Sequence, residues 1–437
     1  MRFERYRQLG ILACISLVLT LLLVSCGTYI DLSAVDTHYR QGNFSRALYT
    51  LERRSDQMRA AQGPIILAYD LGILNHYSGN WEQSNQLLSE SERLIEEAYT
   101  KSISQGFASY MINDAAKAYE ASAYEELAIN LIKALNYLAL GESEGALVEL
   151  RRAIEKQAHF SDRYARAQAQ LAATAQADNL PYASSSVRTT FTTSALLHWL
   201  ASIVSAHLAD WSMTSYAQQA ALEAFSLQPH LYPFTVPKDL HLGSPREGKA
   251  RLHLLSFVGQ SPEREELVEY LPFSNDLQAR IAYPTLQMRP SAVAAIEVTT
   301  SDGVRLLLEP IESLERIALD TFGPTAALAR QRSYLRTTAR LLGKVAVTKE
   351  EEEQTLLSLL LDLVFTVSAE VAEQADLRST HYLPAEAWIG SLDLNPGVYH
   401  LVVTYYDKRG AKLASEMLQP VTLSTDSLTL IELIFPR

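Results

Sequence analysis

The chain has 437 residues, of which 48% are hydrophobic and 20% are charged, and its formal net charge is −12. This composition is ordinary for globular protein, and the length allows two or three domains. An acidic chain without a basic cluster is a poor candidate for binding nucleic acid or anionic lipid by charge, so we expect no nucleic-acid partner.

Residues 1–25 predict a secretion signal. Three arginines lie among the first seven residues, and the mostly apolar run 11–24 is shorter than the roughly 20 residues that cross a bilayer. Residues Leu23-Val24-Ser25-Cys26, at the end of this segment, resemble the bacterial lipoprotein box. In proteins with that motif the signal is cut before the cysteine, and the cysteine carries the lipid. The alternative is a signal-anchor helix with an incidental cysteine.

Cysteine usage limits the chemistry of the mature chain. Cys14 and Cys26 are the only cysteines in the sequence. Cys14 lies in the predicted signal, and the resemblance implies that Cys26 is modified by lipid. We therefore expect no disulfide, no thiolate metal site and no cysteine nucleophile.

Residues 26–229 predict a helical-repeat domain rich in alanine, leucine, glutamate and glutamine. A skeleton of glycine, four residues and a small residue recurs in it. The copies are Gly42 to Ala47, Gly79 to Ser84 and Gly141 to Ala146. Glycine can adopt a left-handed helix cap at these positions, and a small side chain lets the paired helix pack closely. A fourth copy without the glycine is predicted around Ala217, Ala221 and Ala224.

This skeleton resembles the tetratricopeptide repeat, a helix-turn-helix unit of about 34 residues. The resemblance implies stacked helix pairs with a concave surface that grips a peptide or a partner protein. The alternative is a generic helical bundle whose glycine turns coincide with the pattern.

Residues 230–249 predict a linker, because prolines and glycines cluster there. Residues 250–437 then predict a smaller α+β domain with an antiparallel sheet. Its expected elements are a strand at 251–258, a hairpin at Asp302-Gly303, helices at 311–322, 325–342 and 349–376, and a terminal β-meander from 388 to 435. The expected fold class is mainly α, with tetratricopeptide-like helical repeats followed by the α+β domain.

The sequence contains no motif that predicts catalysis. The ten histidines show no metal-ligand spacing, and a nucleophile elbow, a Walker loop and a dinucleotide fingerprint are all missing. We therefore expect a non-enzymatic protein that uses neither a cofactor nor a metal ion.

Two charged segments are candidate interaction or structural motifs. Glu149 and Arg152 lie three residues apart on a predicted helix. They predict either a surface ion pair or an arrangement that orients Arg151 or Arg152 in the repeat groove. Asp376 and Arg378 lie at the C-terminal end of the last predicted helix. They either cap its end and tie it to the sheet, or line a surface groove.

These segments, the lipoprotein box and the helical repeats together resemble an uncharacterised family of bacterial tetratricopeptide-containing lipoproteins. In that family an Ala-Leu-Val-Glu-x-Arg-Arg segment lies in the helical half, and an Asp-x-Arg … Leu-Pro segment precedes the final strands. Here they are Ala146–Arg152 and Asp376–Pro384. The family has no known activity. The resemblance implies a protein anchored through Cys26 to a bacterial membrane.

We therefore expect a scaffold or adaptor in the cell envelope that binds an envelope protein, in envelope or cell-wall assembly. Gly27, rather than aspartate, follows Cys26. The lipoprotein resemblance implies that an aspartate there would retain the protein in the inner membrane, so in a two-membrane bacterium glycine favours the outer membrane, on its periplasmic or surface face. One alternative is an envelope enzyme or carbohydrate-binding protein with a site between the helical and α+β domains. Another is a purely structural envelope component.

Overall fold

The structure, a computed structural model, describes residues 30–104, 119–182, 185–274, 277–350 and 374–437. Within these ranges about half of the chain is helical, in nine α-helices, and a separate sheet-containing region forms the C-terminal part. The expected order, with helices before strands, is confirmed at this level. No described helix combines the length and the apolar character needed to span a membrane.

Eight helices of the N-terminal region form four antiparallel hairpins. They are α1 (Ser33–Arg40), α2 (Phe44–Glu52), α3 (Ser55–Tyr77), α4 (Trp81–Ser104), α5 (Ala123–Ala139), α6 (Ser143–Ala177), α7 (Ala195–His207) and α8 (Trp211–Leu227). Each odd-numbered helix packs against the helix that follows it, and each hairpin packs against the next. Helix α3 is interrupted at Gly63, whose φ of 87° is not helical, and continues from Pro64.

One hydrogen-bond pattern closes all four hairpins. The residue at each turn has a positive φ: 75° at Gly42, 80° at Gly79, 79° at Gly141 and 57° at Ala209. The next residue donates its backbone N–H to the carbonyl five residues earlier, as Asn80 does to Asn75 at 2.9 Å and Asp210 to Ser205 at 2.8 Å. These bonds satisfy carbonyls that a helix end leaves free. The fourth hairpin therefore turns at an alanine, and Ala217 lies inside its second helix.

A small or short side chain follows each turn residue by five positions and is buried. These residues are Ala47, Ser84, Ala146 and Thr214. The Ser84 hydroxyl donates to the carbonyl oxygen of Gly72 on the paired helix at 2.7 Å. Short side chains let the two helices of each hairpin approach closely enough for such contacts.

The proline-rich segment 230–249 packs against both regions. Leu231, Tyr232 and Leu240 are buried. The Asp239 carboxylate accepts hydrogen bonds from Trp199 Nε1 at 2.9 Å and from the Ser391 hydroxyl at 3.0 Å. This segment therefore joins helix α7 to the strands that follow it.

Twelve strands and one helix make up the described C-terminal region. They are β1 (Ala250–Val258), β2 (Glu263–Ser274), β3 (Leu277–Gln287), β4 (Ala295–Thr300), β5 (Arg305–Leu307), β6 (Glu309–Ser313), α9 (Leu314–Glu350), β7 (Glu386–Leu394), β8 (Gly397–Tyr399), β9 (Leu401–Tyr406), β10 (Lys412–Met417), β11 (Val421–Leu423) and β12 (Thr429–Phe435). Two four-stranded sheets have the orders β12-β1-β7-β6 and β10-β9-β4-β5. Strands β2 and β3, and β8 and β11, form separate pairs.

The expected terminal meander is wrong in its connections. Strands β9 and β10 pair antiparallel as expected. However, β7 lies in the other four-stranded sheet, and β12 pairs parallel with β1, from Leu252 opposite Thr429 to Val258 opposite Phe435. The sheet is therefore not purely antiparallel. Its two partner strands are far apart in sequence, so local patterns carry no signal for their pairing.

The expected helices of this region also differ from the structure. Residues 309–313 form strand β6, which pairs with β7, so the helix expected at 311 begins at Leu314. Helix α9 then runs through Pro324 and joins two helices that we expected to be separate. The helix expected at 349–376 lies almost wholly outside the described residues. The hairpin at Asp302-Gly303 is confirmed by the pairing of β4 with β5.

One hydrophobic core extends across both regions. It contains Tyr69 and Ile129 from the helical hairpins together with Phe257, Ile311 and Ile389 from the sheet. A second core fills the space between the two four-stranded sheets. The helical hairpins and the first sheet therefore share buried apolar surface.

Candidate functional site

The first helices of the four hairpins, α1, α3, α5 and α7, form what we call the inner face. The C-terminal region of the chain covers this face. The extended segment 379–383 crosses α1, α3 and α5. The hydroxyls of Tyr39 and Tyr77 both donate to the carbonyl oxygen of Tyr382, at 3.0 and 3.3 Å. The face on which we expected a partner peptide is thus filled by the chain itself.

An aspartate-histidine pair fixes this segment on α3. The buried Asp70 carboxylate accepts the backbone N–H of His381 at 3.0 Å and its Nδ1–H at 2.6 Å. Burial lowers the pKa of His381, but the charge and hydrogen bond of Asp70 raise it more, so the net pKa is above its ordinary value. The protonated imidazole and Asp70 form an ion pair between the two regions.

A buried charge cluster makes a second connection, at the start of α5. The Glu125 carboxylate accepts the Ser122 backbone N–H and the Tyr119 hydroxyl, both at 2.6 Å, and the Thr380 hydroxyl at 3.3 Å. The Arg264 guanidinium from β2 lies 3.5 Å from the same carboxylate. Glu125 and the Arg264 side chain are almost completely buried, so each charge depends on the other.

A third connection is made at the start of α7 by Glu312 of β6. Its carboxylate accepts the Ser194 hydroxyl at 2.7 Å, the Tyr232 hydroxyl at 3.0 Å and the backbone N–H of Leu196 at 3.2 Å. Burial raises the pKa of Glu312, and these donors oppose the rise. A carboxylate at a helix N-terminus also interacts favourably with the helix dipole. Glu312 therefore holds the sheet on the end of α7.

The candidate residues Glu149, Arg151 and Arg152 do not share one site. Glu149 is buried and accepts hydrogen bonds from Asn130 at 2.6 Å and from Arg152 at 3.1 Å. It also pairs with the buried Lys133 at 3.1 Å, so it joins α6 to α5. Arg151 binds Asp210 at 2.8 Å and joins the third hairpin to the fourth. The expected ion pair between Glu149 and Arg152 is present, but the Glu149 carboxylate is buried rather than on the surface.

Asp376 and Arg378 bind each other. Arg378 donates from Nε to Oδ1 at 2.7 Å and from Nη2 to Oδ2 at 2.8 Å. The guanidinium also lies 5.8 Å from the ring centre of Tyr119. The helix that we expected this pair to cap lies outside the described residues. The Asp376–Arg378 pair instead lies in the segment that leads onto the inner face. This segment contacts helix α3, which is about 300 residues away in the sequence.

An open cleft of about 610 Å³ lies where the hairpin turns meet strand β12. One wall contains the turn residues Gly79 and Gly141 with Trp81 and His207. The opposite wall contains residues 426–428, residues 430–432 and Ile434. The cleft therefore lies between the two regions of the chain, and its size is within the roughly 300–1,000 Å³ of typical ligand pockets.

His76 connects the two walls of the cleft. Its Nε2 lies 2.9 Å from Glu432 Oε1, and its Nδ1 lies 2.6 Å from Asn136 Oδ1. The Asn136 amide nitrogen donates to Ser84 and Asn85, so its oxygen faces His76 as an acceptor. Burial lowers the pKa of His76, but Glu432 and Asn136 raise it further, to a net value above its ordinary one.

The sequence analysis offered a site between the two domains as an alternative but identified none of the residues of this cleft, although one signal was present. Glu432 is the single ionisable residue in the mostly apolar strand Thr429–Phe435. A lone carboxylate in a strand of that kind indicates a specific partner, because burying an unpaired charge is costly. Its partner His76 lies 356 residues away in sequence, so the pattern alone does not identify it.

The described residues include no group of three or more histidine, cysteine, aspartate and glutamate side chains arranged to hold a metal ion. The predicted lipid-attachment residue, Cys26, lies outside the described residues. Comparisons with protein-family models, with curated proteins and with solved structures found no match for this chain.

Proposed function

We propose that this chain is a lipid-anchored lipoprotein of the bacterial cell envelope that acts as a non-enzymatic scaffold or adaptor for an envelope protein. The lipoprotein box ending in Cys26 supports the anchor. The four hairpins support a tetratricopeptide-like frame, since each turns through a left-handed residue and packs against the next.

The observation that carries the proposal is the position of the surface that remains free. The chain covers its own inner face, so a partner has to bind elsewhere. We define the turn edge as residues 41–44, 78–81, 140–143 and 208–211, where the four hairpins turn. Trp211 lies on this edge and is 60% exposed. Tryptophan is among the residues that most often contribute binding energy at protein interfaces.

In-cell crosslinking tests the adaptor function. A photo-crosslinking residue replaces Trp211 at the start of α8 or, as the matched control, the similarly exposed Leu227 at its end. We expect one dominant envelope protein to be crosslinked from position 211 and not from position 227. Crosslinks that do not differ between the two positions, or that persist unchanged in a Cys26→Ala background, contradict the proposal.

Labelling with palmitate tests the anchor separately. The wild-type chain should incorporate the label and fractionate with membranes, and the Cys26→Ala variant should do neither. Equal labelling of both chains, or no labelling of the wild type, contradicts lipid attachment at Cys26.

The second candidate function is an envelope enzyme or carbohydrate-binding protein with its site between the two regions. The cleft between the turn edge and β12 is the observation that favours it, since Tyr77 and Trp81 both line it. Calorimetric titration with peptidoglycan oligosaccharides tests this alternative. Binding that is weakened by Trp81→Ala supports it, and absence of binding contradicts it.

A further inference from the structure

In the part of the chain that the structure describes, strand β12 has one free edge. There it is the outermost strand of the sheet β12-β1-β7-β6 and pairs only with β1. Among the described residues, no backbone hydrogen bond reaches β12 from its other side. Alternate residues of an edge strand present unpaired N–H and C=O groups, which are a template for another extended chain. Its seven residues span roughly 23 Å, at about 3.3 Å per residue.

The cleft reaches around this free edge. Leu430 and Ile434 pack against the core shared with the helices, whereas Ile431 packs against the core between the sheets. These side chains therefore point to opposite faces of the strand. All three line the same cleft. A cavity that touches both faces of a strand must lie against its edge, so the unpaired backbone groups face the cleft.

The cleft is apolar along its floor and acidic at its rim. Leu135 and Leu138 of α5 line it opposite β12, and the carboxylates are Glu432 and the exposed Asp426. None of the described residues that line it is lysine or arginine. Glu432 is already bound to His76 at 2.9 Å, so Asp426 is the carboxylate available to a ligand.

We infer that β12 binds an extended peptide segment of a partner protein, which adds to the sheet as a further strand. Backbone hydrogen bonds to the free edge hold the segment. An apolar side chain of the segment packs on Leu135 and Leu138, and a lysine or arginine pairs with Asp426. This inference rests on the proposed adaptor function and names the site and the chemistry of its partner.

Three synthetic peptides test this site on the purified full chain. The first is a ten-residue peptide in which valine and threonine alternate around a central lysine. The second has glutamate in place of lysine, and the third is the lysine peptide with alternate amides N-methylated, so that it cannot pair along one edge. By calorimetry the glutamate peptide should bind more weakly by roughly threefold to tenfold, the effect of one partly exposed charge pair. The N-methylated peptide should not bind.

Two variants locate the peptide. Asp426→Lys should reverse the preference between the lysine and glutamate peptides. The matched control Glu416→Lys makes the same charge change at an exposed position of β10 and should leave the preference unchanged. In hydrogen exchange, the amides of residues 429–435 should become protected when the lysine peptide binds, with no comparable change in β10.

Several outcomes overturn the inference: no binding of the lysine peptide, equal binding of the N-methylated peptide, or an unchanged preference in Asp426→Lys. Protection of the β12 amides in a dimer without peptide also overturns it, because a second copy of the chain would then occupy the edge. The adaptor function stands independently, since crosslinking from position 211 in cells can succeed when every peptide fails.

Discussion

At the scale of single residues, the charges buried between the two regions determine how tightly they are held. Arg264 lies between the rings of Tyr119 and Phe322, at 5.0 and 5.1 Å, and faces Glu125 at 3.5 Å. Burial lowers the pKa of Arg264, but the neighbouring Tyr119 and Glu125 raise it more, so the net pKa is above its ordinary value. Removing one member of such a pair leaves the other as an uncompensated charge in a region that excludes water.

Arg264→Met should lower the free energy of unfolding by about 3–5 kcal/mol, the usual cost of breaking a buried ion pair on one side. Methionine retains the contact with the rings of Tyr119 and Phe322, so the loss of stability reports the removal of the positive charge. Urea denaturation measures it. Arg93→Met is the matched control, because Arg93 is exposed and pairs with Glu90 and Glu97 on the surface of α4. The free energy of unfolding of the Arg93→Met variant should equal that of the wild type.

The double variant Arg264→Met with Glu125→Gln distinguishes the ion pair from simple packing. It removes both charges, so its loss of stability should be clearly smaller than the sum of the two single losses. Strictly additive losses would show that the charges of Arg264 and Glu125 act independently, against the structure.

Only part of this detail is predictable from sequence. The Glu149–Arg152 pair was predictable because helical spacing brings residues i and i+3 together. The contact of Asp70 with His381 joins residues 311 positions apart, and no sequence pattern links the two residues. Burial of Glu149 was also missed, since its partner Lys133 lies on a different helix.

At the scale of elements, the hairpin turns show how one backbone geometry is reached by different residues. Gly42, Gly79 and Gly141 adopt the left-handed conformation without steric cost. Ala209 adopts it with a φ of 57° and carries a Cβ. The fourth turn is therefore strained relative to the other three, and the strain is balanced by packing of α7 against α8.

Ala209→Gly should stabilise the chain. We expect the free energy of unfolding to increase by about 0.5–1 kcal/mol. Glycine removes roughly 1–2 kcal/mol of left-handed strain. This gain exceeds the roughly 0.4–1 kcal/mol by which the greater conformational entropy of glycine stabilises the unfolded chain. Thermal and urea unfolding measure this. The same substitution at Ala158, exposed within α6, should instead destabilise by roughly 1 kcal/mol. A loss of stability at both positions would contradict the strain at Ala209.

Two elements that the sequence did not predict are decided by strand pairing rather than by local propensity. Strand β2 begins Glu-Arg-Glu-Glu-Leu, a composition with high helical propensity, yet it pairs with β3 over its whole length. Residues 311–313 were expected to begin a helix, but residues 309–313 pair with β7 as a strand. Sheet pairing overrides local propensity in both cases.

At the scale of the whole molecule, two histidines join the regions through carboxylates. His76 of α3 binds Glu432 of β12, and His381 binds Asp70 of α3. Asp36 also raises the pKa of His381, whereas Arg289 lowers it. Both histidines have net pKa values above the ordinary 6.5. Such a group stabilises the fold fully below its unfolded pKa, and the contribution is lost as pH rises through the folded pKa.

The free energy of unfolding should therefore fall as pH rises from 6.5 through the raised pKa values of His76 and His381. Urea denaturation at a series of pH values measures the slope. The double variant His76→Gln with His381→Gln should lose most of it. A wild-type stability that stays constant or increases over this range would contradict the two ion pairs.

His253 provides the opposite control. Burial and then the charge of Arg251 lower its pKa to about 3, so its contribution is present above pH 6.5 and is lost as pH falls. The decrease in the free energy of unfolding below pH 6.5 should therefore persist in the double variant of His76 and His381. A profile that also becomes flat below pH 6.5 would show that the substitutions had disturbed more than the two pairs.

The covered inner face has a consequence for synthesis. Helices α1 to α8 end at Leu227, whereas the residues that cover them, 379–383 and strand β12, lie more than 150 residues later in the sequence. A growing chain therefore completes its hairpins while their apolar side is still open to solvent and to other chains. Contacts between such distant residues also form slowly. Segment 379–383 and strand β12 thus close the fold, and until they are synthesised the helical region requires protection from aggregation.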